Sequence, residues 1–591
     1  MATVLLAEYL FTRLHQLSVG SIHGVPGDYN LELLDYVAPN GLCWVGNVNE
    51  LNAGYAADGY ARIKGIGALI TTFGVGELSA INAIAGAYAE RAPIIHIVGT
   101  PNRATQDARL LVHHTFNDGN YRRFGQMHAH VTVAQTSLRD PSTSPEQIDH
   151  VLTQCLLHSR PVYIEVPVDL VSAPVLAARL RCPIAIPDAS PNPTWDKALT
   201  KVLDIIYAAK QPIILADGES RALDIVEDVQ ALIKSTNWPS WTTPFGKGLF
   251  DETLPNFHGI YKGTFDDPAS RDFFNQADLI LCFGPHWSST NTYDYSTIPK
   301  TDASICFTDT EIKIGDQILR DIPARLAVRQ LLQKLNLSKI ERYDSVNQSD
   351  LLSPNRRPLT FSDVAPQEPI THANLWNIFS GYLHPDDIIL GETGTAGHGV
   401  RELVLPPRAR LFAPATWLSI GYMLPAAQGA ALAQRELQQA RSRDDVLTPE
   451  TKSGRTILFI GDGSFQMTAQ ELSTIIRHNL NVVVFLLNND GYTIERCLHG
   501  LHEEYNDVAR WRYMRAPGFF GAEDGAFTAA VGTWGELEEA LNDERLMGGK
   551  GLRMVELRMG REDVPRGALV ACLERERRRV EGVVTNGKER K

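Results

Sequence analysis

Apolar residues recur along this chain with two alternating periods, and the alternation predicts open α/β units from end to end. Leu6, Tyr9, Leu10, Leu14 and Leu17 fall at helical spacing, with Glu8 and Arg13 interspersed, so the N-terminal stretch reads as an amphipathic domain helix and not as a signal peptide. A short strand over Ser21 to Gly24 then runs into a turn ending at Asp28, and a helix follows from Leu31 to Tyr36. A second, alanine-rich helix begins at Glu50. Ile148, Val151, Leu152, Cys155 and Leu156 mark another helix, which leads into the strand Val162 to Val166 and closes a first α/β unit.

Prolines at 174, 183, 187, 191 and 193 mark a boundary. Beyond it, the apolar runs Ile213 to Leu215 and Leu279 to Phe283, with helical stretches between them, predict a second parallel unit without a convergent polar set. Residues 338 to 370, rich in Ser, Pro, Asn and charge, read as a second linker. A third unit then carries strands at Asp387 to Leu390, Thr456 to Ile460 and Val482 to Leu487, with a helix near Phe465 to His478 and a charged surface excursion over Gln434 to Arg455. The expected fold is three doubly wound parallel-sheet domains at 1–180, 195–337 and 370–565, followed by a tail at 566–591. No internal sequence repeat is evident.

The chain has 591 residues, enough for about three to four domains, and an ordinary globular composition. Its net charge of −13 and pI of 5.7 argue against nucleic acid or an anionic membrane as a partner, because phosphate-rich surfaces need clustered cations. The one basic cluster, Arg575, Arg577, Arg578 and Arg579, is interleaved with glutamates and reads as a solvated face. Seven cysteines without CxxC spacing predict reduced thiols, a cytoplasmic setting and no zinc site.

Candidate chemistry concentrates in Gly461-Asp462-Gly463-Ser464 and in Asn488-Asn489-Asp490-Gly491, about two dozen residues further on. The glycines let a turn approach a phosphate closely at the start of a helix, and Asp462 adds a hard carboxylate. If the two flanking strands are parallel, Asn489 emerges on the same sheet edge as Asp462. A carboxylate, an amide oxygen and a main-chain carbonyl suit octahedral Mg2+ completed by phosphate oxygens. A lone GDG is equally a turn with an N-cap, and the second motif is what makes the pair specific.

Three further features stay ambiguous on residue type alone. Asp28 reads as an N-cap or a site carboxylate. Glu50 reads as a helix-dipole partner or a catalytic acid. His113-His114, with His96, His128 and His130 nearby in sequence, reads as a metal cluster or as a loop presenting imidazoles that titrate near neutrality.

ELNAGYAADGYAR at 50–62, TTFGVGELSA at 71–80, LLVHHTFNDG at 110–119, ETGTAG at 392–397, the GDG…NN pair and NNDGYTIE at 488–495 occur in one order. Together they resemble the thiamin diphosphate-dependent 2-keto acid decarboxylases of the fungal and yeast pyruvate decarboxylase type, over most of residues 1–565. The resemblance implies a pyrimidine-binding first domain, a central domain and a diphosphate-binding third domain. It implies Mg2+ on Asp462, Asn489 and Gly491, with Thr393, Gly394, Thr395, Ile420, Gly461, Gly463, Ser464, Tyr492 and Ile494 also contacting the cofactor. Glu50 matches the residue that activates the pyrimidine, its apolar neighbours suggesting a raised carboxyl pKa, and Asp28, His113, His114 and Glu495 match the family's proton-transfer set. Ile420 matches the residue that props the two cofactor rings toward each other.

The implied activity is non-oxidative decarboxylation of a 2-keto acid, pyruvate first, in a homodimer or homotetramer whose active sites lie between subunits. A bulkier substrate, indolepyruvate or phenylpyruvate, is the alternative, with Trp417 and Ile494 as an apolar wall and Gly397 leaving space. An acetolactate synthase-type carboligase is disfavoured by the proton-transfer set and by the lack of a flavin fingerprint. A non-catalytic assembly protein would have no use for Glu50 or His114. The stretch Ala216 to Arg221 lacks the regulatory cysteine of some yeast relatives, which puts that route of substrate activation in doubt.

Overall fold

The computed structural model describes residues 2–186, 193–340, 359–444, 454–523 and 526–588. The first sheet has six strands in the order Cys43–Trp44, Ser21–Gly24, Gly67–Thr72, Ile94–Thr100, Val162–Pro167 and Gln135–Ser137, and all its pairings are parallel. Its inner strands are apolar on both sides because helices cover both faces. Ala68, Ile70, Ile95 and Ile97 enter one core, while Leu69 and Ile94 enter another.

The third sheet runs Arg410–Phe412, Ile388–Gly391, Thr456–Gly461, Val482–Asn488, Leu552–Arg558 and Thr528–Val531, again all parallel. Numbered by chain order within each unit, both sheets read 2-1-3-4-6-5, so the two units share a topology that the sequence does not display as a repeat. In such a sheet the connections leave in opposite directions from strands 1 and 3, which opens a crevice at their C-terminal ends. In the first unit that crevice receives the segments after Gly24 and Thr72, and in the third the segments after Gly391 and Gly461.

The middle sheet has seven strands: Phe257–Ile260, Ser240–Thr242, Pro212–Ala216, Leu279–Phe283, Ser304–Phe307, Glu311–Ile314 and Gln317–Arg320. The first five are parallel as predicted, but the last two form an antiparallel edge hairpin turned by Gly315-Asp316, with Gly315 at φ 57°. A convergent polar set is also present where none was expected. The buried Asp217 carboxylate accepts from the backbone of Gly218 and His286 and from the side chains of Thr243 and Asn291. Burial pushes its pKa up to about 6, and the surrounding donors make it an internal tie between loops.

Both ends of the predicted surface excursion at 434–455 are structural. The helix Met423–Asp444 runs straight through its first part, and residues 445–453 lie outside the described residues. This helix crosses Glu50–Lys64 at backbone contact: a Cβ on Gly59 would come 2.1 Å from Ala426 O, and one on Gly429 would come 1.9 Å from Ala56 O. Small residues here allow an approach that any side chain would prevent. Further along, Glu436 accepts from Ser21 Oγ (2.6 Å), Tyr60 Oη (2.6 Å) and Lys64 Nζ (2.9 Å), and Arg455 pairs with buried Asp387 at 2.6 Å. Glu436 is thus paired between the first and third units, and Arg455 within the third.

Other boundaries shift. Pro174–Leu176 pairs antiparallel with Thr3–Leu5 and belongs to the first unit rather than to a linker. The second linker is outside the described residues over 341–358, but Leu359, Phe361 and Val364 pack on the core of the third unit. The helix expected over Leu31 to Tyr36 ends at Leu34. The predicted tail contains the helix Ala568–Lys588, whose Leu569 and Leu573 pack with Cys497 and Leu501. All seven cysteines are free.

Candidate active site

The strand Thr456–Gly461 ends in a helix that starts at Asp462, not near Phe465, and changes to 3-10 geometry over Ala469–Glu471 before resuming. Starting the helix on the aspartate places its carboxylate on the sheet edge. Asp462 Oδ1 accepts from Gly463 N (2.8 Å) and Oδ2 from Gly491 N (2.9 Å), which ties the two motifs together. Burial pushes the Asp462 pKa up to about 6.

The side-chain oxygen of Asn489 faces the Gly491 carbonyl oxygen at 2.8 Å and Asp462 Oδ1 at 3.3 Å. Three acceptors facing one another repel, and the reversed amide would donate to both neighbours instead. A cation inverts that preference. In an octahedral Mg2+ shell with bonds of about 2.1 Å, adjacent oxygens lie about 3.0 Å apart, which the two separations bracket. The donor set therefore fits Mg2+.

The neighbouring turn fits a diphosphate. Gly394 has φ 117°, which glycine alone adopts comfortably, and a Cβ on Gly394 or Gly461 would meet nothing within 4 Å. Thr393 Oγ1 is buried beside the Glu392 carboxylate, at the edge of this open turn. Ser464 Oγ lies 3.5 Å from Thr393 O, and Thr395 is buried at the start of a short helix. Gly463 packs under the Tyr492 ring, where a Cβ would come within 2.5 Å. Ile420 is half-buried beside Ser419, whose hydroxyl meets Tyr55 Oη at 2.7 Å.

One residue of this half escaped the sequence reading. Glu392, fully buried at the end of Ile388–Gly391, accepts from Thr393 N and Met423 N, each at 2.8 Å, and so fixes both loops that border the crevice. Burial pushes its pKa up to about 8. A lone carboxylate closing an apolar strand was the available signal.

A second group gathers at the crevice of the first sheet. Asp28 and His113 Nε2 are hydrogen-bonded, His113 stacks on Tyr29 at 5.0 Å, and His113 and His114 lie edge to face at 4.7 Å. Asp28, His113 and His114 lie close enough to one another for a shared metal, whereas His96 and His128 are buried elsewhere in the first unit, and His96 bonds Thr71. Glu50 opens its helix as predicted, and burial raises its carboxyl above the usual value even though Val48 is exposed. Its Oε1 lies where a Cβ on Gly76 would come within 3.0 Å.

The structure thus forms two sets. Asp28, Glu50, His113 and His114 surround the first crevice, and Thr393 to Thr395, Gly461 to Ser464, Asn489, Gly491 and Tyr492 surround the third. Among the described residues, no hydrogen bond or ion pair joins one set to the other. Glu495 is exposed in the first turn of Thr493–Leu498, while Ile494 packs toward Cys497 and Val564.

One expectation about the substrate pocket fails. A Cβ on Gly397 would come 2.7 Å from Glu392 O, so this glycine serves close packing and leaves no free space. Trp417 lies over Gly86 and donates to Asn82 Oδ1 at 3.0 Å, and it is partly exposed.

Three family descriptions match the chain: thiamine pyrophosphate enzyme, N-terminal TPP binding domain, over residues 5–121; its central domain over 199–335; and its C-terminal TPP binding domain over 393–556. The chain is 55% identical over 569 residues to a pyruvate decarboxylase of Aspergillus parasiticus, covering 95% of this chain and 96% of the relative. It is 37% identical over 570 residues to pyruvate decarboxylase isozyme 1 of Saccharomyces cerevisiae, covering 96% and 97%. A solved structure, the thiamine diphosphate-dependent 4-hydroxybenzoylformate decarboxylase of Rhodococcus jostii RHA1, superposes with a TM-score of 0.73 at 19% identity, covering 94% of this chain and 99% of that one. At that identity the likeness concerns the fold.

Proposed function

The chain belongs to the thiamine pyrophosphate enzymes, and from that membership we propose that it decarboxylates pyruvate without oxidation, releasing acetaldehyde and carbon dioxide. The observation that carries the reading is the convergence of Asp462, Asn489 and Gly491 oxygens beside the open glycine turns at Gly394 and Gly461, in a chain whose relatives are pyruvate decarboxylases. When bound, thiamin diphosphate supplies the electron sink on which the carboxylate is lost.

The remaining work falls to this chain's side chains. Asp462, Asn489 and Gly491 hold Mg2+, and the turns at Thr393 to Thr395 and Gly461 to Ser464 receive the diphosphate. Glu50, with its raised pKa, holds and shares a proton at the pyrimidine nitrogen. Ile420 supports the cofactor's shape. Asp28, His113, His114 and Glu495 move protons on the substrate side, where the carbon that gives up carbon dioxide must gain one before the product can leave as an aldehyde. Gly397 is packed against backbone and opens no space for a bulkier 2-keto acid.

The partner is a second copy of the chain. Val75, Leu110, Leu111 and Phe116 are exposed near the first half-site, and Met467 and Leu498 near the third, as faces awaiting one another would be. No helix among the described residues is long and apolar enough to cross a membrane, and with seven free thiols we place the enzyme in the cytoplasm. The test is aldehyde and carbon dioxide release from pyruvate, phenylpyruvate and indolepyruvate with thiamin diphosphate and Mg2+. Pyruvate should be turned over with the highest kcat/KM, and a preference for an aromatic substrate would overturn the assignment.

A further inference from the structure

The first-unit half-site is assembled on one tight turn. A Cβ on Gly27, which precedes Asp28, would come 2.6 Å from Thr72 Cβ. A Cβ on Gly74 would come 2.1 Å from His114 O, and one on Gly76 would come 3.0 Å from Glu50 Oε1. The turn Thr72 to Gly76 is therefore in contact with the segment bearing Asp28, with the backbone of His114 and with the carboxylate of Glu50. Gly74 has φ 69°, which glycine adopts without strain, and His114, a non-glycine residue, has φ 64°, a sparsely populated backbone state that the surrounding contacts must hold.

Glu77 holds this turn from the core side. It is fully buried in the first turn of Val75–Ala89 and belongs to none of the proton-transfer groups. Its Oε1 accepts from Gly74 N at 2.8 Å, and its Oε2 accepts from Tyr163 Oη at 2.8 Å and lies 3.5 Å from His128 Nδ1. Tyr163 also reaches Glu165 Oε1 at 3.2 Å, and Glu165 is bonded by Arg122, which in turn donates to Gln106 Oε1 at 2.7 Å. One carboxylate thus joins the strand Val162–Pro167 to the turn on which three catalytic candidates rest. A plain N-terminal cap could be exposed and would not need a buried tyrosine behind it.

We propose that Glu77 is a positioning residue for the proposed decarboxylation, bracing the Gly74 turn so that His114 and Glu50 are held in place while touching neither substrate nor cofactor. The inference rests on the pyruvate decarboxylase reading, and its test separates the two. What matters is the reach and shape of the side chain. Glu77→Gln keeps an acceptor for Gly74 N and a second polar atom for Tyr163, while Glu77→Asp keeps the charge but is too short to reach both.

In the Mg2+- and thiamin diphosphate-saturated enzyme, Glu77→Asp should lower kcat for pyruvate between about tenfold and about a hundredfold, the loss expected when a reacting group is displaced by about 1 Å. Glu77→Gln should stay within about threefold of wild type, and cofactor affinity, whose Mg2+ and diphosphate contacts lie in the third unit, should change far less than kcat in both. In cofactor-free protein, hydrogen-exchange mass spectrometry should show faster exchange in Glu77→Asp confined to peptides covering 72–77 and 110–118. Wild-type kcat in Glu77→Asp, an equal loss in Glu77→Gln, or faster exchange spread across the whole first unit would each overturn the proposal. If Glu77→Asp is insoluble, Tyr163→Phe removes one donor and leaves the Gly74 bond. It should lower kcat several-fold with the same local exchange, and no change in either would overturn the proposal. If wild type does not act on pyruvate, the decarboxylase reading fails, while the exchange arm still decides whether Glu77 braces the turn.

Discussion

At the residue scale, the most consequential atoms are oxygens that face one another. Asp462→Ala removes one of three converging ligands, so the remaining amide and carbonyl oxygens cannot neutralise a diphosphate through Mg2+. Equilibrium binding should show loss of Mg2+-dependent thiamin diphosphate affinity by at least about a hundredfold, with circular dichroism unchanged. Gly397 makes the opposite point, because here the missing side chain is what matters. Gly397→Ala would push a methyl group against the Glu392 carbonyl and cost about 1–3 kcal/mol in overpacking. Its thermal midpoint should fall, and turnover of pyruvate and phenylpyruvate should fall together. A selective loss on phenylpyruvate would restore the glycine to a pocket wall.

At the element scale, what the sequence discloses depends on how local the signal is. The strands around GDG and Asn-Asn are legible because buried parallel strands are runs of Val, Ile, Leu and Phe, and the start of the Glu50 helix is legible from composition. The identity of topology between the first and third sheets is not, since a fold order constrains which strands pair and not which residues they carry. Charge misleads most. Gln434 to Arg455 reads as solvated because nothing local shows that Glu436 meets Ser21, Tyr60 and Lys64, more than 370 positions earlier in the chain. Glu77 and Glu392 hide for the same reason: each is an ordinary glutamate until its backbone donors are known. Glu436→Ala would leave Tyr60 and Lys64 facing an empty acceptor position in a mostly buried joint. It should destabilise the contact between the first and third units by about 2–4 kcal/mol, read as a lower thermal midpoint. An unchanged midpoint would show that water replaces the carboxylate freely.

At the scale of the whole molecule, the two crevices pose a question of assembly. One unit presents Glu50 with Asp28 and the histidines, another presents Asp462 with the diphosphate turn, and no polar contact among the described residues joins the sets. The proposal that a second copy completes each site makes a prediction that no single-chain site can imitate. Glu50→Gln should leave the fold and cofactor binding intact but remove exchange of the cofactor's C2 proton, and Asp462→Ala should lose the cofactor, so each variant is inactive alone. Co-expressed with different tags and purified through both, the chains form mixed dimers. In each, one site collects both lesions and the other receives Glu50 from one chain and Asp462 from its partner. With free pairing about half of all dimers are mixed, so about a quarter of all sites are restored, and the doubly purified fraction should approach half of wild-type activity per dimer. Complete inactivity of verified mixed dimers would place Glu50 and Asp462 in a site built from one chain, and the exposed Val75, Leu110, Leu111 and Phe116 would then have to be explained by a contact unrelated to catalysis.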